Sequence, residues 1–323
     1  MSISAEIDFQ VPDQKAIILA ASRIRNYINQ TPVFRSDTFD KRFGCELLFK
    51  CENFQKAGAF KSRGAVNAVF SLSEEELKNG VATHSSGNHA QALARAAALR
   101  NTKAYIVMPE TSPKVKVNAV KHYQGEITFC KPTLKAREES LKKIINETGA
   151  NEVHPYNNLM IIAGQATCAK EIFEEHDHID QIVAPVGGGG LLSGTALSTN
   201  YFSSKTTVVA AEPEMANDAF KSFYSGTFTP SANPKTIADG LLTSLGSYTF
   251  PLIQKYVDRI VTVSEEAIVE AMHLIWERMK IVIEPSAAVP FASIIENKTN
   301  HESKKIALIL SGGNVDLNKL PWK

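Results

Sequence analysis

Short apolar runs rich in β-branched residues alternate with longer stretches of helical periodicity along most of the chain, and this alternation is what narrows the choice of fold. Strands are expected at ELLFKCE (46–52), VATH (81–84), KAYIVM (103–108), EITFC (126–130), QIVAPV (181–186), TTVVAAE (206–212), RIVTV (259–263) and KIALIL (305–310). Helices are expected at 89–99, 113–123, 134–148 and 264–279, the last with Ser264 as N-cap and Glu265 and Glu266 in its first turn. Strands alternating with helices build parallel sheets covered on both faces, and several of these strands are apolar at successive positions, as double coverage demands. The fold class is therefore α/β, and 323 residues are enough for two domains.

Composition excludes several classes of function. A net charge of +1 gives no long-range field to attract nucleic acid or an anionic membrane. No apolar run approaches the roughly 18 residues of a membrane span. The opening MSISAEIDFQ lacks the basic-then-apolar layout of a signal peptide, so the expected compartment is the cytoplasm. Cys45, Cys51, Cys130 and Cys168 show no CxxC spacing and read as buried free thiols.

Five stretches carry chemistry. In PVGGGGLLSG, the four glycines Gly187, Gly188, Gly189 and Gly190 follow a buried strand and precede a helical pattern. Glycine loses more backbone freedom on folding than other residues, so such a run points to a bare backbone whose N–H groups converge on a phosphate at a helix N-terminus. Gly188, Gly190 and Ser193 also fit a loosened dinucleotide fingerprint, with Glu212 where a ribose-binding acid would stand, so a nicotinamide enzyme is a rival reading. In HSSGNHAQAL, Ser85, Ser86, Gly87, Asn88 and His89 open a helix after a strand, a place where hydroxyls and free N–H groups can hold a carboxylate. LSGGNVDL places Ser311 at the end of the last strand, where parallel sheets bind ligands. In EPEMAND, Glu212 and Asp218 with a carbonyl could hold a hard cation, although most acid pairs at that spacing are merely solvated. In GAFKSRGA, Lys61 stands after Phe60 and among small residues, unlike Lys56, whose neighbours are polar.

FKSRGA, SSGNHAQAL, GGGGLLSG and SGGNVDL, in this order, resemble the fold-type II pyridoxal-phosphate enzymes over nearly the entire chain, and within them the serine racemases and serine/threonine dehydratases. The resemblance implies a tryptophan synthase β-like architecture of two domains, each with a largely parallel sheet flanked by helices: residues 1–79 with 157–323 form the large domain and 80–156 a small mobile one. It implies that Lys61 carries pyridoxal 5'-phosphate, that Gly187–Gly190 hold its phosphate, and that Ser311 faces the ring nitrogen. By the same resemblance Asn88 reaches the ring's 3-hydroxyl, Gly240 lies against the ring face, and Phe60 helps enclose the amine. Ser85, Ser86, Asn88 and His89 would take the substrate carboxylate, with Arg137 a further candidate, although an arginine beside Glu138 and Glu139 on a helix is usually solvated. Lys61 would remove the Cα proton and Ser86 would return one on the far face. Mg²⁺, Ca²⁺ or Mn²⁺ would sit structurally on Glu212, the Ala216 carbonyl and Asp218.

The activity so implied is serine racemisation with concurrent elimination to pyruvate and ammonia. The alternative is a serine/threonine or 3-hydroxyaspartate ammonia-lyase, since dehydratases acting on 3-hydroxyaspartate also resemble SSGNH. A homodimer is the family expectation. ATP enters as an effector because animal racemases answer to it, while no stretch of this chain singles it out. Two departures stand out. GQAT (164–167) replaces GQGT and is expected to alter backbone at the cofactor's edge, and HPYNN (154–158) has Tyr156 where animal racemases often have asparagine.

Overall fold

A computed structural model describes residues 3–85, 87–112, 114–302 and 304–322. Ten strands are assigned among them: β1 (Val33–Phe34), β2 (Glu46–Cys51), β3 (Val81–His84), β4 (Ala104–Pro109), β5 (Glu126–Cys130), β6 (Asn151–Glu152), β7 (Gln181–Pro185), β8 (Thr207–Pro213), β9 (Arg259–Val263) and β10 (Lys305–Leu310). They form a six-stranded sheet of order β1-β2-β10-β7-β8-β9 and a four-stranded sheet of order β5-β4-β3-β6. Every pairing is parallel except β1 with β2. The two-residue strands β1 and β6 were not expected from the sequence; the expected strands lie within a residue or two of those observed.

Burial explains the apolar runs. Every residue of β7 is buried, as are all but the first of β2 and β10, with one apolar cluster on each face of the large sheet. β5, at an edge of the small sheet, is mostly exposed. The four cysteines are free and buried. No helix among the described residues is long and apolar enough to cross a membrane.

The helices are α1 (Gln14–Ile24), α2 (Asp37–Phe43), α3 (Lys61–Ser71), α4 (Glu74–Leu77), α5 (Asn88–Leu99), α6 (Lys114–His122), α7 (Leu134–Thr148), α8 (Leu159–Glu175), α9 (Gly190–Phe202), α10 (Asp218–Ser225), α11 (Thr249–Tyr256), α12 (Glu265–Leu274) and α13 (Pro285–Ile295). Ser264 does cap α12, accepting from the Ala267 N–H at 3.1 Å. α3, α8 and α9 cross closely because glycine lies at each contact. A Cβ on Gly164 would fall 2.6 Å from Gly64 Cα, and one on Gly194 would fall 2.6 Å from Ala166 N. Ala166 belongs to this helix crossing, where its carbonyl accepts from Ser198 Oγ at 2.6 Å. The expectation that GQAT reshapes the cofactor's edge is thereby corrected: Ala166 is buried between helices, outside the cavity described next.

Candidate active site

In a parallel sheet, loops at the carboxyl ends of the strands share one side, and here both sheets turn that side toward one cavity of about 360 Å³. β3 delivers Ser85, Gly87, Asn88 and His89; β7 delivers Gly187–Gly190; β10 delivers Ser311. Lys61 and Phe60 also line it. Their segment is clamped to the end of β10 by the Ala59–Gly312 bridge and by the Phe60 N–H bonded to the Ser311 carbonyl at 3.0 Å.

Lys61 begins α3 and is half-buried. Its Nζ donates to the Pro155 carbonyl at 2.7 Å and lies 5.0 Å from the Phe60 ring centre. Burial lowers its pKa from 10.5 to about 8, with the Glu284 carboxylate opposing the fall. An amine so placed is readily available unprotonated, the form that attacks a carbonyl or accepts a proton.

The glycines form a bare cradle at the N-terminus of α9. A Cβ on Gly187 would lie 2.8 Å from Leu241 Cα, and one on Gly190 would lie 2.9 Å from Tyr156 Cβ. Gly189, at φ +87°, is in the left-handed region that glycine enters without strain. Uncovered N–H groups at a helix start suit an anion. Ser311 is buried, and Gly240 donates its N–H to Ser286 Oγ at 3.0 Å on the cavity wall.

Histidines crowd one side. His89 is buried, with Nε2 2.9 Å from the Val153 carbonyl; burial and then the Lys61 charge lower its pKa to about 3. Burial also brings His84 to about 4, with Arg137 assisting, and His154 to about 3, with His84 assisting. All three are therefore neutral near pH 7. Arg137 is on the cavity wall and forms no ion pair among the described residues, and its Nε is buried without a partner. The solvated reading of Arg137 is corrected by this placement. Ser86 lies outside the described residues.

Glu212 is elsewhere. Its carboxylate accepts from the N–H groups of Ala219 at 2.9 Å and Phe220 at 2.7 Å, at the start of α10. This corrects the dinucleotide reading, which needed that acid beside a ribose. Burial and then Asp218 raise the Glu212 pKa to about 9, and burial raises Asp218 to about 7. Ala216 is buried in the short turn between them, and among the described residues no three His, Cys, Asp or Glu side chains cluster as a metal site.

Several cavity residues were not anticipated. Glu284 is buried at the foot of α13, with burial raising its pKa to about 8. Its signal was a lone acid inside the apolar run IVIEPSAAV. Lys116 of α6 meets Asp239 across the cavity mouth, a pairing that left no mark in the sequence. Behind Lys61, Arg63 is fully buried and bonds Glu52 at 2.7 and 2.8 Å and Glu171 at 2.6 and 2.7 Å.

A family described as pyridoxal-phosphate dependent enzyme matches residues 24–312. The chain is 50% identical to the serine racemase of Dictyostelium discoideum over 95% of its length and 96% of that protein. It is 48% identical to the beta-hydroxyaspartate dehydratase of Paracoccus denitrificans over 97% of its length and 99% of that protein. The structure of maize serine racemase superposes with a TM-score of 0.94 at 43% identity, covering 96% of this chain and 95% of that one. The chain belongs to the fold-type II pyridoxal-phosphate dependent enzymes, among the racemases and ammonia-lyases of that family.

Proposed function

We propose that the chain is a serine racemase that also eliminates the β-hydroxyl of serine, yielding pyruvate and ammonia. The observation that carries this is the Lys61 amine, its pKa near 8, enclosed in one cavity with the α5 N-terminus and the glycine cradle. The residues fit pyridoxal phosphate: an available amine for its carbonyl, uncovered N–H groups at Gly187–Gly190 for its phosphate, and the buried neutral hydroxyl of Ser311 for its ring nitrogen. Bound pyridoxal phosphate supplies an electron sink that makes the Cα proton of an amino acid removable. Gly240 supports the ring face, Asn88 offers an N–H to the ring's 3-hydroxyl, and Phe60 shields the amine. Ser311 would offer the ring nitrogen an uncharged partner. Ser85, Ser86, Asn88, His89 and Arg137 receive the substrate carboxylate.

Lys61 Nζ takes the Cα proton. Ser86 Oγ returns one from the opposite face for racemisation, while departure of the β-hydroxyl gives elimination. Movement of residues 80–156 over the substrate excludes water. We also assign Mg²⁺, Ca²⁺ or Mn²⁺ to Glu212, Asp218 and the Ala216 carbonyl, because burial raises the pKa of both acids, Asp218 raises that of Glu212 further, and Asp218 Oδ2 is buried without a hydrogen bond of normal length. The cation is structural.

A second reading, a 3-hydroxyaspartate ammonia-lyase, is favoured by Arg137: an unpaired guanidinium beside His84 would suit a second substrate carboxylate. The test incubates the enzyme with pyridoxal phosphate, Mg²⁺ and L-serine, and measures D-serine by chiral chromatography and pyruvate in the same samples. D-serine formed by the wild type and lost in Ser86→Ala, with pyruvate retained, supports the racemase. Pyruvate without D-serine refutes it and directs the assay to L-threonine and the 3-hydroxyaspartate isomers.

A further inference from the structure

SGGNVDL contributes Ser311 to the site, but it also carries Asn314, which the proposed chemistry leaves without a part. The Asn314 side chain sits where three segments of the site meet. Its Nδ2 donates to the Ala57 carbonyl at 2.8 Å, just before Lys61, and to Asn88 Oδ1 at 2.9 Å, at the start of α5. Asn88 Nδ2 in turn donates to Glu284 Oε1 at 2.7 Å, and the Asn314 backbone N–H faces that same carboxylate. Gly58 makes room for this amide, since a Cβ there would lie 2.5 Å from Asn314 Oδ1.

The polarity of this chain of amides is forced. A backbone carbonyl can only accept, so Ala57 fixes which end of the Asn314 amide is nitrogen. That nitrogen's second hydrogen then requires oxygen from Asn88, and the Asn88 nitrogen is left facing Glu284, which accepts. Asn88 Nδ2 has two hydrogens, and the second has no partner among the described residues. Because Asn88 lines the cavity, that hydrogen is a donor its amide can offer there.

We propose that Asn314 is a positioning residue that sets the Asn88 amide so that an N–H meets the oxygen substituent of the bound cofactor ring. The inference rests on the reading that Asn88 approaches that oxygen. Asn314→Asp keeps the shape but removes both donors and sets a carboxylate against two acceptors. Asn314→Ser removes both amide hydrogens and shortens the side chain without adding charge.

The measurement is equilibrium binding of pyridoxal phosphate to cofactor-stripped protein, followed by protein fluorescence and by the visible absorbance band, for Asn314→Asp, Asn314→Ser, Asn88→Ala and the two double variants. Thermal unfolding identifies any variant that does not fold, and the other substitution at position 314 then carries the test. Asn314→Asp and Asn314→Ser are each expected to weaken binding about 10-fold or more, which is about 1.4 kcal/mol. In the Asn88→Ala background the same changes are expected to add less than about 2-fold, because the amide they orient is gone. Full losses in both backgrounds would overturn the proposal by showing a general structural role, and unchanged binding in the folded single variants would overturn it as well. Failure of the unsubstituted protein to bind pyridoxal phosphate would instead refute the cofactor reading, and unchanged binding in Asn88→Ala would refute the placement of Asn88.

Discussion

Replacing Lys61 by methionine should stabilise the cofactor-free protein at neutral pH, although it removes the reactive amine. Burial holds the Lys61 pKa at about 8 instead of 10.5, so the folded chain carries an ammonium that the unfolded chain holds more comfortably. That difference corresponds to about 3 kcal/mol of destabilisation at pH 7, less whatever solvent in the cavity screens from a half-buried side chain. Against it stand the 2.7 Å hydrogen bond to the Pro155 carbonyl and the Phe60 ring contact, together worth about 1–2 kcal/mol. The net gain expected for Lys61→Met is about 1–2 kcal/mol, a rise in Tm of about 1.5–3 °C for a chain of this size. The pH dependence separates charge burial from packing. The folded pKa lies below the unfolded one, so between them the unfolded chain binds more protons and wild-type stability rises with pH. Methionine has no such term, and its advantage should shrink by about 1–2 kcal/mol between pH 7 and pH 9.5. Thermal unfolding of both proteins after cofactor removal checks this. A Lys61→Met variant less stable at pH 7, or an advantage that does not change with pH, would refute the reasoning.

Gly187→Ala places a Cβ 2.8 Å from Leu241 Cα, where only backbone can yield. Affinity for pyridoxal phosphate should fall about 100-fold, near 2.7 kcal/mol, as read by fluorescence titration. Arg63→Met leaves Glu52 charged and buried without its partner, so stability should fall by about 3–5 kcal/mol, seen as a lowered Tm. In metal-free protein the raised pKa values of Glu212 and Asp218 mean that the unfolded chain releases their protons first, so stability falls as pH rises from the ordinary carboxylate range toward 9. Millimolar Mg²⁺ should therefore raise Tm more at pH 8 than at pH 6, and Glu212→Gln should abolish the response; a Tm insensitive to Mg²⁺ at pH 8 would remove the cation assignment.

What the sequence disclosed and what it withheld divide along a physical line. Lys61, the glycine run and the strand ends were legible because each requires an unusual local composition: an amine among small residues, glycines where a Cβ would meet backbone, apolar runs where both sheet faces are covered. β1 and β6 were not, because two residues become a strand only through a neighbour, as Val33 does opposite Lys50 and Asn151 opposite Val81. The same holds for the polar groups. Arg63 reads as one charge among 35 basic residues until the fold sets it between Glu52 and Glu171, and Asn314 reads as a turn residue until it stands between Ala57 and Asn88. Ala166 shows the reverse error, in which a departure from the family's GQGT was taken to alter the cofactor's edge, although its position on α8 turns it toward α9. Local composition identifies groups that line the cavity, while the groups bonded to them lie far off in sequence. A hydrogen bond imposes no rule on the residues between its partners. The Asn88 amide at the cavity therefore meets an acid and an amide about 200 residues away, and only the folded chain brings them within 3 Å.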